Sequence, residues 1–213
     1  MKKYLFLILC WAVVAVSCNE DRKDDPEENY DELFPFEGID KPEVEYGDAV
    51  MRPCNPDARP EDYVYPGIDN VVDKDEYEIT LKYRFSEPID EAHAGKVVSR
   101  YILKYINKDQ KEVMVCSDEN YELESPEVTK DVIVSHDMNN NEWYTVSFKV
   151  YSGFPLMLCV NGSGPRDSSI EAEITAVSLS GLTPTLKLET RQYQTREGID
   201  RLANPYCNFI VLP

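Results

Sequence analysis

Three observations predict an all-β protein whose folded part is a single antiparallel β-sandwich, jelly-roll or immunoglobulin-like, with at most one short helix. Apolar and polar residues alternate with period two in segment after segment of residues 77–213. Turn-forming clusters interrupt that alternation about every ten residues, the spacing of short strands in a sandwich. The stretch 51–213 is long enough for eight or nine such strands around one core.

Taken in order, "MRPCNPDARPEDYVYPGIDN" (51–70) holds four prolines and reads as an ordered, irregular lead-in, because proline fixes φ and removes a donor. "YEITLKYRF" (77–85) alternates cleanly. Tyr77, Ile79, Leu81, Tyr83 and Phe85 point one way, while Glu78, Thr80, Lys82 and Arg84 point the other. "VVSRYILKYI" (97–106) sets Tyr101, Leu103 and Tyr105 on one face, and "KEVMVCS" (111–117) returns after a turn at "NKDQ". "VTKDVIVS" (128–135) and "EWYTVSFKVY" (142–151) flank "HDMNNN", which reads as a second hairpin connection. "LMLCV" (156–160), "SIEAEITAVSL" (169–179), "TLKLET" (185–190) and "CNFIVLP" (207–213) complete the strands. "NGSGP" (161–165) reads as a turn. The one short helix is expected at "REGIDRLAN" (196–204), capped by Thr195 and stopped before Pro205.

The net charge of −18 argues against nucleic acid, or an anionic lipid surface, as partner. Residues 18–48 hold 13 acidic and three basic side chains, so a short segment carries about half of the imbalance. That stretch cannot bury apolar surface, and 18–50 is expected to be a disordered, solvated tether.

The first residues explain the tether. Lys2 and Lys3 precede an apolar stretch of 13 residues, Tyr4 to Val16, too short to span a bilayer as a helix. Ala15, Val16 and Ser17 lead into Cys18, and "NEDRKDDPEENYDE" follows at once. This resembles the signal of a bacterial lipoprotein, in which the cysteine becomes the acylated N-terminus. Ala15 departs from the usual Leu. Lys23, Asp24 and Asp25 resemble the acidic export tag of surface lipoproteins in Bacteroides-type bacteria. The resemblance is confined to the N-terminus. It implies a signal peptide over 1–17, lipidation at Cys18 and an outer-membrane anchor facing the cell exterior. Partners would then be the membrane, through the lipid, and a polysaccharide or another envelope protein.

Four cysteines remain beyond Cys18: Cys54, Cys116, Cys159 and Cys207. In an exported chain they allow three pairings. Cys54–Cys207 with Cys116–Cys159 is the favoured one, because the first bridge would tie the start of the domain to its last strand; four free, buried thiols are the alternative. Loops this long would gain about 4 to 5 kcal/mol each in chain-entropy terms. There is no Cys-x-x-Cys pair and neither histidine is near a cysteine in sequence, so no metal site or other cofactor is expected.

Catalytic patterns are weak. Ser135, His136 and Asp137 are consecutive, so their side chains diverge and do not read as a triad. "DMNNNE" (137–142) begins like a calcium loop, but Glu142 stands where glycine is required and Phe148 where an acid is required. No catalytic residue is assigned. Tyr63, Tyr65 and Trp143 are the loop aromatics suited to stacking on a sugar ring. The leading expectation is therefore a non-enzymatic, surface-anchored binding module. Glycan is its leading ligand class, as the lipoprotein resemblance implies. A structural, adhesin or pilus-associated envelope component is the first alternative and a carboxylate-based hydrolase the second.

Overall fold

The structure, a computed structural model, describes residues 49–54, 60, 74–89, 91, 93–121 and 132–213, all within one unit, Pro42–Pro213. The signal segment 1–17, Cys18, the tether up to residue 48, Tyr63 and Tyr65 lie outside the described residues.

The described strands are β1 (Arg52–Pro53), β2 (Glu76–Ser86), β3 (Arg100–Ile106), β4 (Glu112–Cys116), β5 (Ile133–Ser135), β6 (Tyr144–Tyr151), β7 (Pro155–Pro165), β8 (Ser169–Ser178), β9 (Leu186–Tyr193), β10 (Ile199–Arg201) and β11 (Tyr206–Val211). They form an all-β sandwich of two sheets. One runs β6-β2-β8-β9; the other runs β1-β11-β7-β3-β4-β5, with β10 paired to β7 beyond the end of β11. Pairing is antiparallel throughout except at β4–β5, where Val113–Val115 lie parallel to Ile133–Ser135.

Period two in the sequence becomes the core directly. Tyr77, Ile79, Leu81, Tyr83 and Phe85 of β2 are all buried, as are Tyr101, Leu103 and Tyr105 of β3. Phe85 and Tyr101 meet across the two sheets with ring centroids 6.0 Å apart. Each such aliphatic or aromatic side chain contributes roughly 1.5–3 kcal/mol by leaving water. β6 shows the same pattern more weakly, with Val150 buried and Tyr144, Val146 and Phe148 half-buried, because it is an edge strand. β3 departs from it. Ile102 and Ile106 are buried as well, and Ile102 joins Met114 and Cys116 in a second small cluster behind the sheet.

Four expectations are corrected. "HDMNNN" is not a hairpin, since β5 pairs with β4 in one sheet and β6 with β2 in the other. The connection crosses between sheets, pinned by the buried Met138 and by Asn140, which bridges to Phe85. "NGSGP" is no turn but the second half of β7, paired with β3 and β10. No helix forms at 196–204. Ile199–Arg201 pairs with β7 instead, Gly198 has a φ of 76°, and the Gln194 amide donates to the carbonyls of Asp200 (2.7 Å) and Arg201 (3.2 Å). Strand pairing and side-chain capture together outweigh a weak helical pattern.

The fourth correction concerns the cysteines. The disulfide joins Cys159 to Cys207, which face each other directly in the β7–β11 register. Cys116 sits on β4, and β3 lies between β4 and β7, so Cys116 and Cys159 do not meet. Cys54 and Cys116 take no part in that disulfide.

Asp75 ties the start of β2 to two other segments. Its carboxylate accepts hydrogen bonds from the hydroxyls of Ser178 and Ser180, and its N–H donates to Ser152 Oγ at 2.9 Å. The bond from Ser178 is the largest effect and, with that from Ser180, holds this carboxyl below its ordinary value against the opposing effect of burial. A depressed folded pKa means a contribution that is full above the unfolded value and is lost as pH falls through the folded one. Asp75→Asn is therefore expected to lower the urea midpoint at pH 7, with the gap to the parent chain closing below about pH 4. A gap that stays constant down to pH 2 would contradict this.

Candidate functional site

Strand alternation that buries one face of β2 and β8 must turn the other face outward. At one end of that outer face, the register sets Arg84 of β2 opposite Glu171 of β8, and Glu171 opposite Arg191 of β9. Glu171 receives both guanidinium groups. Arg84 Nε donates to Oε1 at 2.8 Å, its Nη2 reaches the same oxygen, and Arg191 Nε lies 3.6 Å from Oε2. Each arginine also stacks on an aromatic ring. Arg84 Cζ is 4.7 Å from the centre of the Trp143 ring, and Arg191 Cζ is 4.9 Å from that of Tyr193. Trp143 and Tyr193 nonetheless remain 56% and 52% exposed.

The result is a row Trp143–Arg84–Glu171–Arg191–Tyr193 that crosses β2, β8 and β9 and starts at the residue just before β6. At about 4.8 Å per strand gap it spans roughly 15 Å. Long flexible side chains lose rotamer freedom when they bind a ligand, and here that freedom is already restricted by stacking and ion pairing. Apart from the exposed Tyr151 and Val177, the rest of this outer face is polar, and its charges balance. Lys82, Arg84, Lys149, Lys187 and Arg191 face outward with Glu76, Glu78, Glu171, Glu173 and Glu189. A chain of net charge −18 thus presents a sheet face with no net charge.

Of the three aromatics singled out by sequence, the structure places Trp143 in this row; Tyr63 and Tyr65 fall outside the described residues. Arg84, Glu171, Arg191 and Tyr193 were not identified as site residues. The outward position of Arg84 was legible, but its partners depend on registers between distant strands. The buried tyrosines have other uses. Burial pushes the phenols of Tyr83, Tyr101 and Tyr105 above their ordinary value. Tyr83 donates to the Asp137 carbonyl at 2.9 Å, and Tyr101 shares a 2.6 Å hydrogen bond with Ser168.

The Ser135-His136-Asp137 segment makes a local turn. Ser135 Oγ donates straight to the Asp137 carboxylate at 2.9 Å, and His136 Nδ1 is buried without a hydrogen-bond partner among the described residues. The imidazole does not link the other two. In the loop that follows, Asn139 Nδ2 donates to Glu142 Oε2 at 3.1 Å and Tyr144 OH donates to the same oxygen at 3.0 Å. Those groups stabilise the turn itself.

No protein-family model, curated protein or solved structure matches the chain.

Proposed function

We propose that this protein is a lipid-anchored, non-enzymatic lipoprotein of the bacterial cell surface, and that the outer face of its four-stranded sheet binds a glycan. The observation that carries the reading is the pair of half-exposed rings, Trp143 and Tyr193, each backed by a stacked arginine that Glu171 restrains. Sugar rings present apolar C–H faces that stack on such rings, while their hydroxyls bond to guanidinium and carboxylate groups. The balanced charge of the face suits a neutral polysaccharide. Cys18 supplies the anchor, and the acidic segment after it supplies the spacer and the export tag.

Titration calorimetry of the chain against a panel of soluble neutral polysaccharides tests the binding. One or more glycans are expected to bind, and Trp143→Ala is expected to weaken that binding by about tenfold or more, the effect of losing a central aromatic anchor. Stability should change little, because the ring is half exposed. Silence across the panel, or unchanged affinity in Trp143→Ala, overturns the reading. Display is tested separately by proteinase K on intact cells, where full protection of the chain would rule out an outward-facing anchor.

A further inference from the structure

Three sulfurs meet behind the seven-stranded sheet, and the disulfide accounts for only two of them. The N–H of Cys54 donates to the Cys207 carbonyl at 3.0 Å, which continues the β1–β11 ladder by one residue. Cys207 in turn faces Cys159 across β11 and β7. Cys54, Cys207 and Cys159 therefore occupy one row on three adjacent strands, with their side chains on the same face. Their Sγ atoms all lie within 4.8 Å of one another, and Cys54 Sγ is 3.7 Å from Cys159 Sγ.

We propose that these three cysteines, when the Cys159–Cys207 bond is reduced, form a binding site for one soft d10 cation of the copper(I) class. The spacing suits this. Thiolates bound at about 2.3 Å to a shared ion stand roughly 3.8 to 4.0 Å apart. Cys54 and Cys159 already stand close to that separation, at 3.7 Å, while the disulfide is intact. Soft thiolates select such ions over hard ones, and three of them complete a trigonal copper(I) shell without a further ligand. Lys104 of β3 is next in the row beside Cys159, and its ammonium is paired with Glu112 at 3.3 Å, so this ion pair borders the site without a net charge.

The alternative use of a third sulfur is attack on the disulfide, and the surroundings of Cys54 oppose it. Burial first, then the charge of Glu112, pushes its thiol up to about 12 against its own backbone hydrogen bond, so almost no thiolate is present at neutral pH. A metal ion supplies the positive charge that this environment lacks.

The chemistry balances in two steps. A dithiol reductant gives two electrons and two protons to the Cys159–Cys207 bond, becomes a disulfide itself and leaves two thiols. The ion then binds the three sulfurs, and their three protons pass to solvent. The oxidised pair is the closed form of the site and the trithiolate is the open form. Spacing rules in sequence miss such a site because its ligands come from three strands and stand in no Cys-x-x-Cys pair.

The test is titration of the reduced full chain with Cd²⁺, reading thiolate-to-cadmium charge-transfer absorption, and with copper(I) held in a coloured chelator. One ion of either kind per reduced chain is expected, and none in the oxidised chain. Cys54→Ser and Cys207→Ser should each weaken binding by more than the roughly 10–100-fold that follows loss of an outer partner. Cys116→Ser should bind as the parent does, since Cys116 is buried in the cluster with Ile102 and Met114. Circular dichroism checks that each variant is folded. A folded, reduced chain that takes up neither ion overturns the proposal. So does undiminished binding in Cys54→Ser, or binding that depends on Cys116.

Discussion

Gly162→Ala is expected to destabilise the domain by about 3 to 5 kcal/mol, a large part of the 5–15 kcal/mol that holds a typical domain together. Gly162 sits on β7 opposite Tyr101 of β3 with a φ of 132°, a region that side chains with a Cβ avoid. Backbone strain of that kind costs about 1–3 kcal/mol. Space is the second difficulty. A Cβ at this position would run into the Arg100 carbonyl oxygen and the Tyr101 Cα, both of them backbone of the neighbouring strand. No rotamer change relieves such a contact, so β3 and β7 must move apart, and overpacking of this kind costs roughly 1–3 kcal/mol more. Urea unfolding checks it. The midpoint should drop sharply at unchanged slope. A loss below about 1 kcal/mol would mean that the two strands separate easily at this point.

That glycine marks a limit of what one sequence discloses. "NGSGP" carries the chemistry of a turn, and a strand that needs two glycines for close approach carries the same letters. β2 was legible because burial of one face imposes period two on adjacent residues, and that signal is local. What joins the strands is not local. A hairpin and a crossover both use a polar loop of a few residues, so "HDMNNN" did not reveal that it leaves one sheet for the other. Residues 196–204 held a cap, a proline stop and helix-compatible spacing, yet Gln194 and the edge of β7 supplied better partners for that backbone. The candidate sites suffer most. Trp143 stood out as the single tryptophan beyond the N-terminal apolar stretch, whereas its row is assembled from two separate registers and a ring contact to Arg84. The sulfur cluster likewise exists only because β11 lies between β1 and β7.

Glu87→Ala is expected to cost about 3 to 5 kcal/mol, comparable to breaking a buried ion pair. Glu87 is 2% exposed and forms no ion pair among the described residues. Its carboxylate is stabilised by main chain instead. Oε1 accepts from the Val98 N–H at 2.9 Å, and Oε2 accepts from the N–H groups of Ser99 at 2.8 Å and Val98 at 3.2 Å. Its own backbone is held by Asn140, which accepts from the Glu87 N–H at 2.8 Å and donates to the Glu87 carbonyl at 3.0 Å. One residue therefore fastens the entry to β3 and the intersheet crossover to the end of β2. Alanine leaves the Val98 and Ser99 donors without an acceptor, and each such donor costs about 1–3 kcal/mol when it is kept from water. Gln keeps one acceptor oxygen but turns an N–H₂ toward those same donors, so Glu87→Gln should cost less than Glu87→Ala and still more than about 1 kcal/mol. The order Ala worse than Gln, read from urea midpoints, separates loss of the hydrogen bonds from loss of the charge. Equal destabilisation by both would place the effect in the charge. Neither variant should alter glycan affinity in the protein that stays folded, because Glu87 is buried and the Trp143–Tyr193 row lies on the outward face of the sheet.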